Sequence, residues 1–397
     1  MKNDILPSKR LSGIKPSDMR KLFEIAKIYR AQGREIIDFG LGDINIPLSK
    51  HVIKGINDAL NSGKNKYGSN AGELPLRSKL ADISNLYHDT RLTFENVLVT
   101  CGSLEGLYDI AMAYINPGDE VLIVEPEFPY FGYQVLLAGG IPIQISLTKN
   151  TDFMVTPEMV LDKITPKTKA LLINYPNNPT GAIIEKKYFE NIVNICEEHN
   201  IILISDEAYE KMVYDGLSHP SALDYNYSNT LVVNSASKSL CMTGLRVGYT
   251  ISNSIALLKP VMQVHQYNTA HASINNQYGL LNGLNHYEEI IDNSLSVLQK
   301  RRDLIYDSWK NIPGVVFPKP KATFYLYPNV KNTGMNSTKF CDFALDNGIV
   351  LTPGTAFCFD NSNDGGNFHV RVAYGMVNEN EIIKASELLQ DALSSII

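Results

Sequence analysis

Between residues 97 and 251 the chain alternates two textures, and this alternation restricts the possible fold more than any other feature. Short apolar runs with few charges occur at Val97–Thr100, Val121–Val124, Ala170–Asn174, Ile201–Ser205, Thr230–Asn234 and Val247–Ile251. Longer stretches with helical spacing, such as Leu104–Ile115 and Tyr188–His199, separate most of them. Short runs without polar alternation read as strands buried on both faces, and strands interleaved with helices build a mainly parallel, doubly wound sheet. The expected fold is α/β, with that sheet in a large domain. After about Asn285 the pattern changes. A long helical stretch, Glu288–Lys310, leads to the strand-like runs Ala322–Tyr327 and Gly348–Thr352 and to a last helix at Glu379–Leu393. These predict a second, smaller α+β domain. A helical segment from Ser17 to Gln32, capped by Ser17 or Asp18 and stopped by Gly33, is expected to complete it. The expected division is 46–285 for the large domain, with 1–45 and 286–397 forming the small one.

Composition removes whole classes of function. With 42 Asp and Glu against 36 Lys and Arg, the net charge is −6, so no basic surplus exists to displace counterions from nucleic acid. Five scattered cysteines without a CxxC pair fit a reducing, cytoplasmic compartment. The first residues, MKNDILPSKR, lack the apolar core of a signal peptide, and no apolar run reaches the ~18 residues of a membrane span. No nucleic-acid or membrane partner is expected. The eight histidines form no HExxH pair, and no metal is expected. Gly40-Leu41-Gly42 lacks the third glycine of a dinucleotide loop, and neither GxxxxGK[ST] nor GxSxG occurs.

Ligands of open α/β sheets bind beyond the carboxyl ends of the strands, so the residues following each run are the place to look for chemistry. Cys101-Gly102-Ser103-Leu104 opens a helix, a ready seat for phosphate. The other ends carry Glu125-Pro126-Glu127-Phe128-Pro129-Tyr130, Tyr175-Pro176-Asn177-Asn178-Pro179-Thr180-Gly181, Asp206-Glu207-Ala208-Tyr209 and Ser235-Ala236-Ser237-Lys238, with Arg246 eight residues on. Collected at one sheet edge, these supply an anion seat, an aromatic face, an amide, a carboxylate, a phenol, hydroxyls, an amine and a guanidinium. That inventory suits a flat, phosphorylated aromatic aldehyde, pyridoxal 5′-phosphate: an amine for the Schiff base and a carboxylate to keep the ring nitrogen protonated. Taken singly, each residue has a plainer reading. Lys238 is a solvated lysine, Asp206 a helix cap, Asn178 a turn residue and Phe128 core packing.

The strings Asn177-Asn178-Pro179-Thr180-Gly181, Ser205-Asp206-Glu207-Ala208-Tyr209 and Ser235-Ala236-Ser237-Lys238-Ser239, continuing as Met242-Thr243-Gly244-Leu245-Arg246, resemble those of the class I/II aminotransferases, pyridoxal-phosphate enzymes of fold type I. Lys66-Tyr67-Gly68, Val350-Leu351-Thr352-Pro353-Gly354 and Val370-Arg371-Val372 extend the likeness along nearly the whole chain. The resemblance implies an internal aldimine and proton shuttle at Lys238, a ring-nitrogen partner in Asp206, and hydrogen bonds to the ring oxygen from Asn178 and Tyr209. It implies stacking by Phe128, and phosphate binding by Gly102, Ser103, Leu104, Ser235, Ser237 and Arg246. Arg371, with Asn178 and the backbone of Gly42, would hold the substrate carboxylate. Tyr67 would reach the neighbouring subunit of a homodimer with shared sites. Gly42-Asp43-Ile44-Asn45 departs from the Gly-Glu-Pro type string of many relatives. The implied reaction moves an amino group from an L-amino acid to a 2-oxo acid, with 2-oxoglutarate as a candidate acceptor, by ping-pong half-reactions. The same constellation would serve a C–S lyase, or a non-catalytic regulator that binds the cofactor.

Overall fold

A computed structural model describes residues 6–14, 18–147, 151–359 and 364–396; Ser17 lies outside these. Twelve strands are present among the described residues: β1 Ile37–Asp38, β2 Val97–Thr100, β3 Glu120–Glu125, β4 Ile141–Ser146, β5 Thr168–Asn174, β6 Ile202–Asp206, β7 Thr230–Ser235, β8 Gly248–Ile251, β9 Tyr325–Leu326, β10 Ile349–Val350, β11 Thr352–Pro353 and β12 Val370–Ala373. Seven of them form one sheet in the order β2-β8-β7-β6-β5-β3-β4. Only β8 runs antiparallel to its neighbours.

Both faces of this sheet are buried. Val97, Val99, Leu122, Val124, Leu171, Ile173, Leu203 and Val232 face one core, where Leu80, Phe189, Ile192 and Leu280 cover them. The alternate residues Leu98, Val121, Ile123, Leu172, Ile204 and Val233 face the other, beneath Leu107, Ile110, Phe131, Val135 and Leu258. A period of two with both faces apolar reads in sequence as an unbroken apolar run, the signature from which these strands are predicted. The prediction misses β4. That strand lies at the sheet edge, leaves Ile141 exposed and contains Pro142, which an edge tolerates.

A separate core gathers Phe39, Trp309, Phe324, Phe340, Tyr374 and Leu389, with Phe39 meeting Trp309 edge-on at 5.8 Å. Over it lie the antiparallel sheet β11-β12-β9 and the parallel pair β1–β10. The helix Tyr287–Trp309 reaches both cores, through Ile290 in one and through Leu298 and Ile305 in the other. The expected strand 322–327 shortens to β9, because Thr323 adopts φ 64° and breaks the extended backbone. The expected strand 348–352 begins at a left-handed Gly348 and divides between two partners, β10 joining β1 and β11 joining β12.

Candidate active site

The carboxyl ends of β5, β6 and β7, the helix after β2 and the strand β12 converge on a cavity of about 410 Å³. Twelve of the fourteen site residues expected from the sequence line it: Gly42, Ser103, Leu104, Phe128, Asn178, Asp206, Tyr209, Ser235, Ser237, Lys238, Arg246 and Arg371. Gly102 sits directly behind the lining. Tyr67 does not enter the cavity; it is 92% exposed and packs edge-on against His271.

One end of the cavity is built for an anion. The helix Ser103–Tyr114 begins at Gly102, whose φ of 86° and missing side chain leave the first N–H groups without a side-chain cap. Such a terminus carries the positive end of the helix dipole. A Cβ on Gly102 would lie 2.6 Å from Arg246 Nη2, and one on Gly248 would lie 2.5 Å from the Ser103 nitrogen. Both glycines are there so that guanidinium, strand and helix start can close on one point. Ser235 caps the short helix Ala236–Ser239 by accepting from the Ser237 N–H at 3.1 Å, and Arg246 Nη1 donates to the Thr243 carbonyl at 2.9 Å.

The central groups are an amine and a carboxylate. Lys238 Nζ donates to the Gly42 carbonyl at 2.6 Å. Burial pushes this amine down to about 8; Arg371 and Arg246 add to the effect, and Asp43 and Asp206 oppose it. A lysine so shifted carries roughly a tenth free amine at pH 7, against well under a thousandth for an ordinary lysine, and the free amine is what a nucleophile requires. Asp206, at the end of β6, accepts from the Ala208 N–H at 3.1 Å. Burial pushes its carboxyl up to about 6, against the pull of that N–H and of Lys238. It is a carboxylate short of a cation.

At the other end Arg371 is 2% exposed, yet among the described residues no carboxylate pairs with it. Its Nη1 donates to Asn178 Oδ1 at 3.1 Å and its Nη2 to the Gly40 carbonyl at 2.7 Å, while Nε is buried without a partner. The guanidinium lies between the rings of Tyr325 and Phe357, 4.8 and 4.7 Å from their centroids. Asn178 is itself pinned by its N–H, which donates to Asn174 Oδ1 at 3.0 Å. Tyr209 and Tyr325 share a hydroxyl–hydroxyl bond of 2.8 Å, and Phe128 stacks on Tyr130 at 4.4 Å.

Tyr325, Asn174 and Gly40 are site residues that sequence reasoning did not single out. Asn174 was legible only as the last residue of a strand. Tyr325 lies 116 residues from Tyr209 and Gly40 lies 331 residues from Arg371, and no local signal marks either contact.

The donor set fits pyridoxal phosphate. The buried, cation-poor carboxylate matches a protonated ring nitrogen, the shifted amine matches the aldehyde, and the glycine-walled helix terminus with Arg246 matches the phosphate. Fold and site together define a pyridoxal-phosphate-dependent enzyme of fold type I. Comparison with known proteins gives the same result. The model of the family "Aminotransferase class I and II" matches residues 34–386. An aspartate aminotransferase of Pyrococcus horikoshii is 31% identical over 389 residues, covering 97% of each chain. An aromatic-amino-acid aminotransferase of Thermococcus litoralis is 31% identical over 94% of each chain. The solved Thermus thermophilus aspartate aminotransferase with maleate superposes with a TM-score of 0.92 at 29% identity, covering 98% of this chain and all of that one. The chain belongs to the class I and II aminotransferases, and its activity is pyridoxal-phosphate-dependent amino-group transfer.

Proposed function

We propose that this cavity moves the amino group of an L-amino acid to a 2-oxo acid in two half-reactions, with Lys238 as acid–base residue and Arg371 as carboxylate clamp. The observation that carries the reading is that a buried guanidinium without a carboxylate partner and a buried, shifted amine line one cavity. When bound, pyridoxal phosphate supplies the electron sink that makes the substrate Cα proton labile.

The chain's own residues do the rest. Ser103 and Leu104, through their N–H groups, hold the phosphate together with Ser235, Ser237 and Arg246. Asp206 would hold the ring nitrogen protonated, since a cation beside it would stabilise the ionised carboxylate that burial alone disfavours. Asn178 and Tyr209 would donate to the ring oxygen, and Phe128 would supply an aromatic surface for the ring. Arg371 orients the substrate by its α-carboxylate, with Asn178 and Gly42 alongside. With the cofactor bound, Lys238 Nζ would take the proton from the substrate Cα and return it, its lowered basicity suiting both transfers.

The exposed Tyr67 supports a homodimer in which this side chain reaches the partner's phosphate. The two cores, bridged by one long helix, support a large cofactor domain over 46–285 and a small domain from 1–45 with 286–397. Scattered cysteines without a CxxC pair support a cytoplasmic location, and among the described residues no helix is long and apolar enough to cross a membrane. The relatives' names make aspartate and the aromatic amino acids the first donors to assay.

The test is borohydride reduction of the holoprotein followed by peptide mapping. The cofactor mass is expected on Lys238, and Lys238→Ala is expected to lose both the tag and transamination. A tag on another lysine overturns the assignment.

A further inference from the structure

Behind the anion end of the cavity lies a buried charged cluster that the mechanism above does not use. Glu105 is the third residue of the helix Ser103–Tyr114, and Asp109 lies one turn further along it. His265, near the end of the helix Ile255–Asn268, places Nδ1 3.4 Å from Glu105 Oε1 and 3.3 Å from Asp109 Oδ2. His265 and Asp109 are fully buried. Glu105 also accepts from the backbone N–H of Cys101 and from the Thr269 hydroxyl, and Asn268 Nδ2 reaches both carboxylates at 3.3 and 3.2 Å. Cys101 is the residue before Gly102, so Glu105 holds the backbone that places Gly102 against Arg246.

The arrangement poses an electrostatic conflict. A carboxylate in the first turn stabilises an empty helix N-terminus, but it repels a phosphate bound at that same terminus. Two carboxylates on this helix would double the repulsion unless a cation faces them. His265 is that cation. Burial disfavours its charge, yet Asp109 and Glu105 outweigh burial and hold it up to about 9. The same contacts, with Thr269 and Cys101, overcome the burial of Glu105 and keep it below the usual carboxylate range. Cys101, pushed up to about 11 by burial and by Glu105, adds no charge. Arg246, on the far side of Gly102, is the other cation facing the seat.

We propose that His265 is a positioning residue for the cofactor phosphate: by pairing with Glu105 and Asp109 it cancels negative charge behind the helix terminus and fixes Glu105 on the Cys101 N–H. The proposal rests on the functional reading above only in placing the phosphate at Ser103.

The experiment titrates cofactor-free protein with pyridoxal phosphate, and in parallel with pyridoxal, which lacks the phosphate. His265→Gln is expected to weaken pyridoxal phosphate binding about fivefold while leaving pyridoxal binding unchanged. Adding Glu105→Gln, which removes one negative charge and keeps an acceptor for Cys101, is expected to restore affinity to within about twofold. Glu105→Gln alone is expected to bind the phosphate form more tightly, which keeps the test open if the histidine variant fails to fold. Equal weakening of both ligands, no weakening, or failure of the double variant to recover overturns the proposal. The same three side chains are also a metal-ligand set, and stoichiometric zinc in the holoenzyme would overturn it too. Borohydride tagging of Lys238 is independent of all these outcomes, so it separates failure here from failure of the functional reading.

Discussion

The clamp role proposed for Arg371 yields the most quantitative expectation. Replacing it with lysine keeps a positive charge but removes the planar fork, and with it the bonds from Nη1 to Asn178 and from Nη2 to Gly40 that aim the group. Hydrogen bonds to charged groups contribute about 1.5–3 kcal/mol each. Loss of one such bond to the substrate carboxylate therefore predicts a fall in kcat/KM of about 10- to 150-fold for Arg371→Lys. Arg371→Ala leaves that carboxylate buried and unpaired, a cost of about 3–5 kcal/mol, and predicts a fall of at least about 150-fold. Because no carboxylate of the described chain pairs with Arg371, the substrate-free protein loses no ion pair on mutation. Its stability should then reflect the lost packing against Tyr325 and Phe357 and the lost bonds to Asn178 and Gly40, offset by relief of a buried charge that has no counter-ion. The assay is the single-turnover donor half-reaction, followed through the cofactor absorbance across a substrate series, beside urea unfolding of the cofactor-free protein. Arg371→Lys within threefold of the parent would refute the clamp. So would an equal loss with an amine that has no α-carboxylate.

Other consequences follow from the same geometry. Asp206→Asn removes a carboxyl whose folded value, about 6, lies above its ordinary 3.8. Ionising such a group costs stability as pH rises from about 4 to 6, so at pH 7 the cofactor-free variant should be more stable than the parent by about 2–3 kcal/mol. Urea unfolding should show that gap closing at pH 4, while transamination by the loaded variant collapses. Gly102→Ala forces an unfavourable φ and a 2.6 Å contact on Arg246, and should weaken pyridoxal phosphate binding at least tenfold in an absorbance titration.

How much of this was legible beforehand depended on whether the signal was local. The central strands announce themselves because two buried faces leave no polar residue between apolar ones; Leu171, Leu172 and Ile173 are all fully buried although they point to opposite cores. The edge strand β4 does not, because only two of its six residues are buried. The strands over the second core are two to four residues long, too short for a period to register, and left-handed residues at Thr323 and Gly348 bound the runs that suggested longer ones. Lys238, Asp206 and Ser103 follow strands and were found by reading outward from them. Tyr325 on Tyr209 spans 116 residues, and His265 on Glu105 spans 160; only the folded topology joins such pairs.

The bare α-carbons at positions 102 and 248 also bear on how this enzyme can be altered. At Gly248 strand and helix touch backbone to backbone, and Gly102 abuts the Arg246 guanidinium, so almost any larger residue at either displaces the seat proposed for the phosphate. The wall at Leu41 and Tyr130 is lined by side chains instead, with Leu41 exposed. Libraries seeking new amino donors should be randomised on that wall and leave the glycine seam untouched, since variation is tolerated where side chains merely shape space and not where their absence does.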